Sequence, residues 1–348
     1  MVRFDVIIPV HNSSAYLKKC LNSVLNQSYK NFRIIVIDDK STDNSVEILR
    51  KYKEKFPEII TLIESKVNVK AAGARNLGLD LIEADYITFL DSDDTLDLNF
   101  FEKVNNIIES YNPDIVVGDI CFNCGGVNLD FLGMKRNVTE NSTLIKPSEF
   151  KKHIYTDRPG VTGKFFKKDL IKTRFPNIKW EDYPFGVTYL TQANSIFYLK
   201  EIGYHYTINP FSTTVTDIFK FPPRVLDIFT GSDIIDSTLN DSTKDHYKDE
   251  LRTVKTINCL QRVRDLCFAR NISKKDKFLM ANYLVNLINV KEGNYQELDY
   301  YHYQKNSSLF YRFRIETVEK LIDKNFQIET DEQVLKEKIK TITKKYEK

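Results

Sequence analysis

Hydrophobic positions in the first third of the chain change period again and again. Residues 6–10 (Val-Ile-Ile-Pro-Val) form a nearly unbroken apolar run, the signature of a strand buried on both faces. Leu17, Cys20, Leu21, Val24 and Leu25 then return at helical spacing, with Asn12 or Ser13 available as the cap. The change recurs. A strand is predicted at 32–37, followed by a helix capped by Ser41 or Asp43 with Val46, Leu49 and Tyr52 inward. A strand at 59–63, a helix at 74–82 and a strand at 86–90 come next. A helix carrying Phe101, Val104, Ile107 and Ile108 follows, and then a strand at 115–117. Such alternation predicts an α/β fold with a mostly parallel central sheet covered on both faces.

From about 120 to 219 the alternation fades into a stretch rich in Gly, Tyr and Phe. Phe221-Pro222-Pro223 marks a boundary, and beyond it the pattern is helical. Leu251, Val254, Ile257, Val263 and Leu266 fit one amphipathic stripe; Leu279, Leu284, Leu287 and Ile288 fit another. The expected organisation is an α/β domain over 1–219 and a helical C-terminal domain over 220–348.

Composition changes this picture little. A chain of 348 residues, 42% hydrophobic, is long enough for a large and a smaller core. A net charge of +3 leaves no nucleic-acid footprint. The five cysteines include one C-x-x-C, Cys121 and Cys124, without the second ligand pair a zinc site needs. The odd count and the absence of a disulfide framework suggest a reducing compartment. With no secretion signal and no membrane-length apolar run, a cytoplasmic protein is expected, with peripheral membrane contact as an option.

Candidate chemistry lies where the predicted strands end, because parallel α/β sheets bind ligands at the carboxyl ends of their strands. Strand one ends at Val10-His11-Asn12, strand two at Asp38-Asp39, and strand four at Asp91-Ser92-Asp93-Asp94. The Gly-rich turn of a dinucleotide fold and the G-x-x-x-x-G-K of a P-loop are both missing. Clustered carboxylates at a buried strand end are costly unless a cation or donors offset them, and hard divalent cations favour such oxygens. The alternative is a solvated acidic turn with Asp94 capping the next helix.

Five blocks resolve the choice between those readings. They are Val6-Ile7-Ile8-Pro9-Val10-His11-Asn12, Asp38 to Asp43, Ala72 to Gly78 (with Arg75), Phe89-Leu90-Asp91-Ser92-Asp93-Asp94, and Trp180-Glu181-Asp182. In order and spacing, across roughly residues 3 to 215, they resemble the family-2 inverting glycosyltransferases of the GT-A nucleotide-sugar-binding fold. The resemblance implies metal-dependent transfer, with Mn²⁺ or Mg²⁺, of a hexose or N-acetylhexosamine from a UDP-sugar to an acceptor hydroxyl. It also implies an acceptor that is a bacterial surface glycan such as capsule, lipopolysaccharide or teichoic acid, lipid-linked or free. Pro9, Val10 and Asn12 would line the base and ribose, and Asp39 would accept a hydrogen bond from uracil. Arg75 would meet the diphosphate or the acidic cluster. Asp93 would be the metal ligand, with Asp91 and Ser92 beside it and Asp91 shared between ribose and metal. Asp182 would be the base, Glu181 would orient the acceptor or a loop, and residues 120 to 219 would build the acceptor side.

Trp180 suits sugar stacking or plain packing. His205 suits a metal or phosphate contact, or a structural hydrogen bond, and Thr207 stands where the family often has Arg. At the C-terminus, Leu335, Ile339, Ile342 and Tyr346 share one face amid five lysines, which fits an anionic membrane or docking onto protein. Two rival functions share parts of this pattern. A nucleotide-sugar-forming nucleotidyltransferase would need a Gly-rich basic loop where Asn12-Ser13-Ser14 stands. A non-catalytic nucleotide-sugar-binding protein would have no need of Asp182.

Overall fold

The computed structural model describes residues 1–124, 127–128, 141–146, 151, 160–209, 220, 224–298, 319, 321–322, 326 and 329–346. They fall into two compact units, Met1–Asn209 and Pro210–Lys348. The boundary signal at Phe221-Pro222-Pro223 lies outside the described residues.

The first unit is built on one ten-stranded sheet in the order β3-β2-β1-β4-β9-β6-β10-β5. Its parallel half comprises β1 (Phe4–Val10), β2 (Phe32–Asp38), β3 (Ile60–Glu64) and β4 (Tyr86–Phe89). Helices α1 (Leu17–Leu25), α2 (Ser45–Lys55) and α3 (Lys70–Leu79) connect them. After β5 (Thr95–Leu96) and α4 (Phe100–Tyr111), β6 (Ile115–Cys124) extends the sheet. Continuous apolar strands follow from burial on both faces. Phe4, Val6, Ile8 and Val10 enter one core while Ile7 enters the other, and Ile34 and Val36 oppose Ile35 and Ile37 in the same way.

The stretch where the alternation fades completes the sheet. β9 (Lys164–Lys167) lies antiparallel between β4 and β6, and β10 (Ile196–Thr207) runs parallel to β6 and antiparallel to β5. Phe165 and Phe166 of β9 enter opposite cores, each burial contributing about 2 kcal/mol. A strand of four residues without a helical crossover gives no period to read, so its sequence resembles a loop. Short β7 (Val127–Asn128) pairs with β6 and β8 (Thr143–Ile145) with β10.

Two capping expectations change. The first helix begins at Leu17 without a side-chain cap, because Asn12 turns into the left-handed region (φ 51°) and its side-chain Oδ1 accepts from Thr42 N at 2.7 Å. Asp94 does not cap α4; its carboxylate is taken by β10, as described below. Asp43 serves two helices, accepting from Ser45 N and Ser14 N, both at 2.9 Å.

The second unit is helical: α6 (Asp227–Thr238), α7 (Asp241–His246), α8 (Lys248–Phe268), α9 (Lys274–Glu292) and α10 (Glu332–Thr343). Leu251, Val254, Val263 and Leu266 of α8, with Leu284, Leu287 and Ile288 of α9, form its interior as their spacing predicts, while Ile257 and Leu279 of the same stripes are half-buried. On α10, Leu335, Ile339 and Ile342 are buried against α9, and Tyr346 Oη reaches Asp276 Oδ2 at 2.6 Å. The apolar face that a membrane-bound helix would insert is therefore already spent inside the protein. No helix among the described residues is long and apolar enough to cross a membrane.

Candidate active site

The parallel strands deliver their carboxyl ends to one edge of the sheet, and the polar residues expected there converge. Backbone strain marks the same edge. Asn12, Lys40, Lys70 and Trp180 all hold positive φ (51°, 58°, 63° and 59°) without being glycine, a cost the surrounding contacts must offset.

Arg75 is the centre of the arrangement. It projects from α3, which approaches β1 closely because Gly78 leaves no room for more: a Cβ there would stand 2.6 Å from Ile7 Cγ2. The neighbouring Asn76 exchanges two hydrogen bonds with the Phe175 backbone, both 2.9 Å, and the Arg75 guanidinium lies 5.5 Å over the Phe175 ring. Phe175 stacks on Phe185 at 3.9 Å, and Phe89 meets both edge-on. On this aromatic bed the buried guanidinium donates to Asp91 Oδ1 at 2.9 Å and to Glu181 Oε1. Burial by itself would weaken its charge, but Asp91, Glu181 and Asp182 more than reverse this and hold it above its ordinary pKa.

Asp182 opens α5 (Asp182–Gln192), directly after Trp180 and Glu181. Its carboxyl is pushed up to about 6, mainly by burial and then by the Glu181 and Asp91 charges, with Arg75 pulling the other way. A carboxylate so placed has the proton affinity a general base needs near neutral pH.

The Asp91-Ser92-Asp93-Asp94 turn is held by partners that sequence reasoning missed. Tyr204 Oη donates to Asp94 Oδ2 at 2.5 Å and accepts from Asp91 N at 3.3 Å. Thr207 N donates to Asp94 Oδ1 at 2.7 Å, Ser13 Oγ meets Ser92 Oγ at 2.7 Å, and Asn209 Nδ2 reaches Asp93 Oδ2 at 3.4 Å. Tyr204, Thr207 and Asn209 lie more than a hundred residues downstream, in the stretch without a readable period. Asp93 is raised above its usual range, first by burial and then by the facing Asp91. Among the described residues no three His, Cys, Asp or Glu side chains form a metal cluster.

The remaining expected residues are distributed around this centre. Pro9 and Val10 end β1 opposite Ile37 and Asp38. Asn12 clamps the 41–42 turn through its backbone as well, its N–H donating to Ser41 Oγ at 3.0 Å. Asp39 is buried and accepts from Val69 N at 2.5 Å, so part of its carboxylate ties down the approach to α3. Trp180 is half-buried, with the Lys179 ammonium 5.4 Å over its ring. His205 follows its structural alternative: Nε2 stands 2.8 Å from Asp97 Oδ1, where β10 pairs with β5. Cys121 is buried.

Comparison with known proteins gives the family. Residues 5–174 match the family model described as glycosyl transferase family 2. An uncharacterized glycosyltransferase of Haemophilus influenzae is 34% identical over 201 residues, 57% of this chain and 76% of that protein. The poly(ribitol-phosphate) beta-N-acetylglucosaminyltransferase TarP of Staphylococcus aureus is 28% identical, with 62% of this chain and 65% of the relative covered. Among solved structures, S. aureus TarS 1-349 in complex with UDP-GlcNAc superposes with a TM-score of 0.57 at 18% identity, covering 87% of this chain and 92% of that one. A Pyrobaculum calidifontis mannosyltransferase in complex with GDP-Man and Mn²⁺ gives 0.53 at 14% identity, covering 100% and 88%. The chain belongs to glycosyl transferase family 2 and has the GT-A fold followed by a helical region. It is a glycosyltransferase.

Proposed function

We propose that this glycosyltransferase moves a hexose or N-acetylhexosamine from a UDP-sugar, with inversion, to a hydroxyl of a phosphate-containing surface glycan of the teichoic-acid type. The observation that carries the reading is Asp182, a carboxyl raised to about 6 beside the Arg75–Asp91–Glu181 network at the ligand-binding edge of the sheet. Asp182 takes the proton of the acceptor hydroxyl as that oxygen attacks the anomeric carbon. The bond from this carbon to the diphosphate oxygen breaks, and UDP leaves with the electron pair. Arg75 keeps Asp91 and Glu181 in place and tempers the negative charge around the base.

Asp93 and Asp91 suit a divalent cation, since both are hard oxygen donors and the raised Asp93 is an anion short of positive charge. Such a cation would offset charge on the departing diphosphate. Asp39 supports uracil over other bases through the family resemblance, and TarP supports the acceptor class by its name.

The test is UDP release from UDP-GlcNAc and UDP-glucose with poly(ribitol phosphate), in Mn²⁺ or Mg²⁺ and after chelation. Acceptor-dependent release that chelation stops, and that Asp93→Ala abolishes, is expected. Pyrophosphate formation from a sugar phosphate and UTP would instead identify a nucleotidyltransferase, and nucleotide-sugar binding without turnover would identify a binding protein.

A further inference from the structure

Gly160 and Lys164 belong to none of the five motif blocks, yet they meet at the base. Lys164 is fully buried in β9, an expensive place for an ammonium group, and its Nζ donates to the Gly160 carbonyl at 2.7 Å. The segment between them is fixed on both sides. Thr162 bridges to Phe89 at the end of β4, and the carbonyl of Gly163 (φ 70°) accepts from Gly118 N at 2.9 Å. This short span is thus fastened to β4 and β6, while its first residue faces Asp182. A Cβ added at Gly160 would stand 3.0 Å from Asp182 Oδ2, closer than ordinary van der Waals contact. What favours glycine at this position is the space beside the carboxylate.

We propose that Lys164 and Gly160 are positioning residues for the base: the buried ammonium holds the Gly160 carbonyl, which sets a bare Cα beside Asp182 Oδ2 and keeps that oxygen open for the acceptor hydroxyl. The inference rests on Asp182 being the base. A methyl group at position 160 displaces the carboxylate, which rotates at little cost to the fold, and strips water from it, which raises its proton affinity further. Removing the Lys164 ammonium lets the same backbone shift.

The test uses the full chain with UDP-GlcNAc, poly(ribitol phosphate) and Mn²⁺. Gly160→Ala should lower kcat about tenfold or more, leave the KM for UDP-GlcNAc within about twofold, and move the acidic limb of the pH–rate profile up by about half a pH unit. Lys164→Met should lower kcat in the same way at temperatures where circular dichroism shows it folded. Titration of the Asp182 carboxyl by ¹³C NMR, assigned with Asp182→Asn, reads the same shift without turnover. Wild-type kcat together with an unmoved Asp182 titration in Gly160→Ala would overturn the proposal. If Asp182→Asn itself kept wild-type turnover, the base assignment would fall, whereas a dead Asp182→Asn beside a normal Gly160→Ala would remove only the positioning role.

Discussion

The helical unit and the candidate site handle buried charge in opposite ways. Among the described residues of the helical unit each buried charge is matched. Lys255 lies between Asp236 at 3.0 Å and Glu292 at 3.1 Å, so even Glu292, which burial pushes up, has a cation against it. Asp265 has Arg262 at 3.1 Å and Arg264 at 2.5 Å, and Asp276 is held below its usual range, chiefly by the Tyr346 hydroxyl and then by Lys345. In the sheet unit Asp91, Glu181 and Asp182 share the guanidinium of Arg75, while Asp93 and Asp94 are driven upward by burial and then by Asp91. Matched charges keep a fold together. A surplus of one sign at a strand edge costs stability and is retained where a ligand supplies what is missing.

Asp182→Asn should reduce transfer by a factor of about a thousand or more and yet stabilise the protein at pH 7.5 by about 1–3 kcal/mol in urea unfolding. The sign follows from the raised pKa. The unfolded carboxyl ionises near 3.8 and the folded one near 6, so stability is lost as pH rises between these values, and Asn removes that loss. Less stability in Asp182→Asn at pH 7.5 would mean the carboxylate is matched after all.

Arg75→Met leaves three carboxylates without their cation and should cost about 3–5 kcal/mol, with the acidic limb of any residual activity moved to higher pH. A variant as stable as wild type would show that the cluster needs no counter-charge from α3. The smallest effect on activity is expected of Ile339→Ala, which should cost about 2–4 kcal/mol of stability from a cavity beneath α10 and leave the KM for UDP-GlcNAc unchanged. A changed donor KM would tie the helical unit to the donor site and erase the division drawn here.

The α/β class, the strands from β1 to β4, the amphipathic helices of the second unit, and the residues at each strand's carboxyl end are all legible in the chain's local pattern. These are readable because hydrophobic period is local and because one stretch of chain carries both the strand and the polar residues that follow it. Only the tertiary structure decided who meets whom. Arg75, paired with Asp91, reaches Glu181 across 106 residues of sequence, Tyr204 reaches back 110 residues to Asp94, and His205 leaves the site for Asp97. Lys164 belongs to a strand four residues long that leaves no periodic trace, and its link to Gly160 bears on Asp182 only once β9 is seated between β4 and β6. Pairings of this kind depend on sheet order, which the chain fixes through the packing of two cores at once and not through any local pattern.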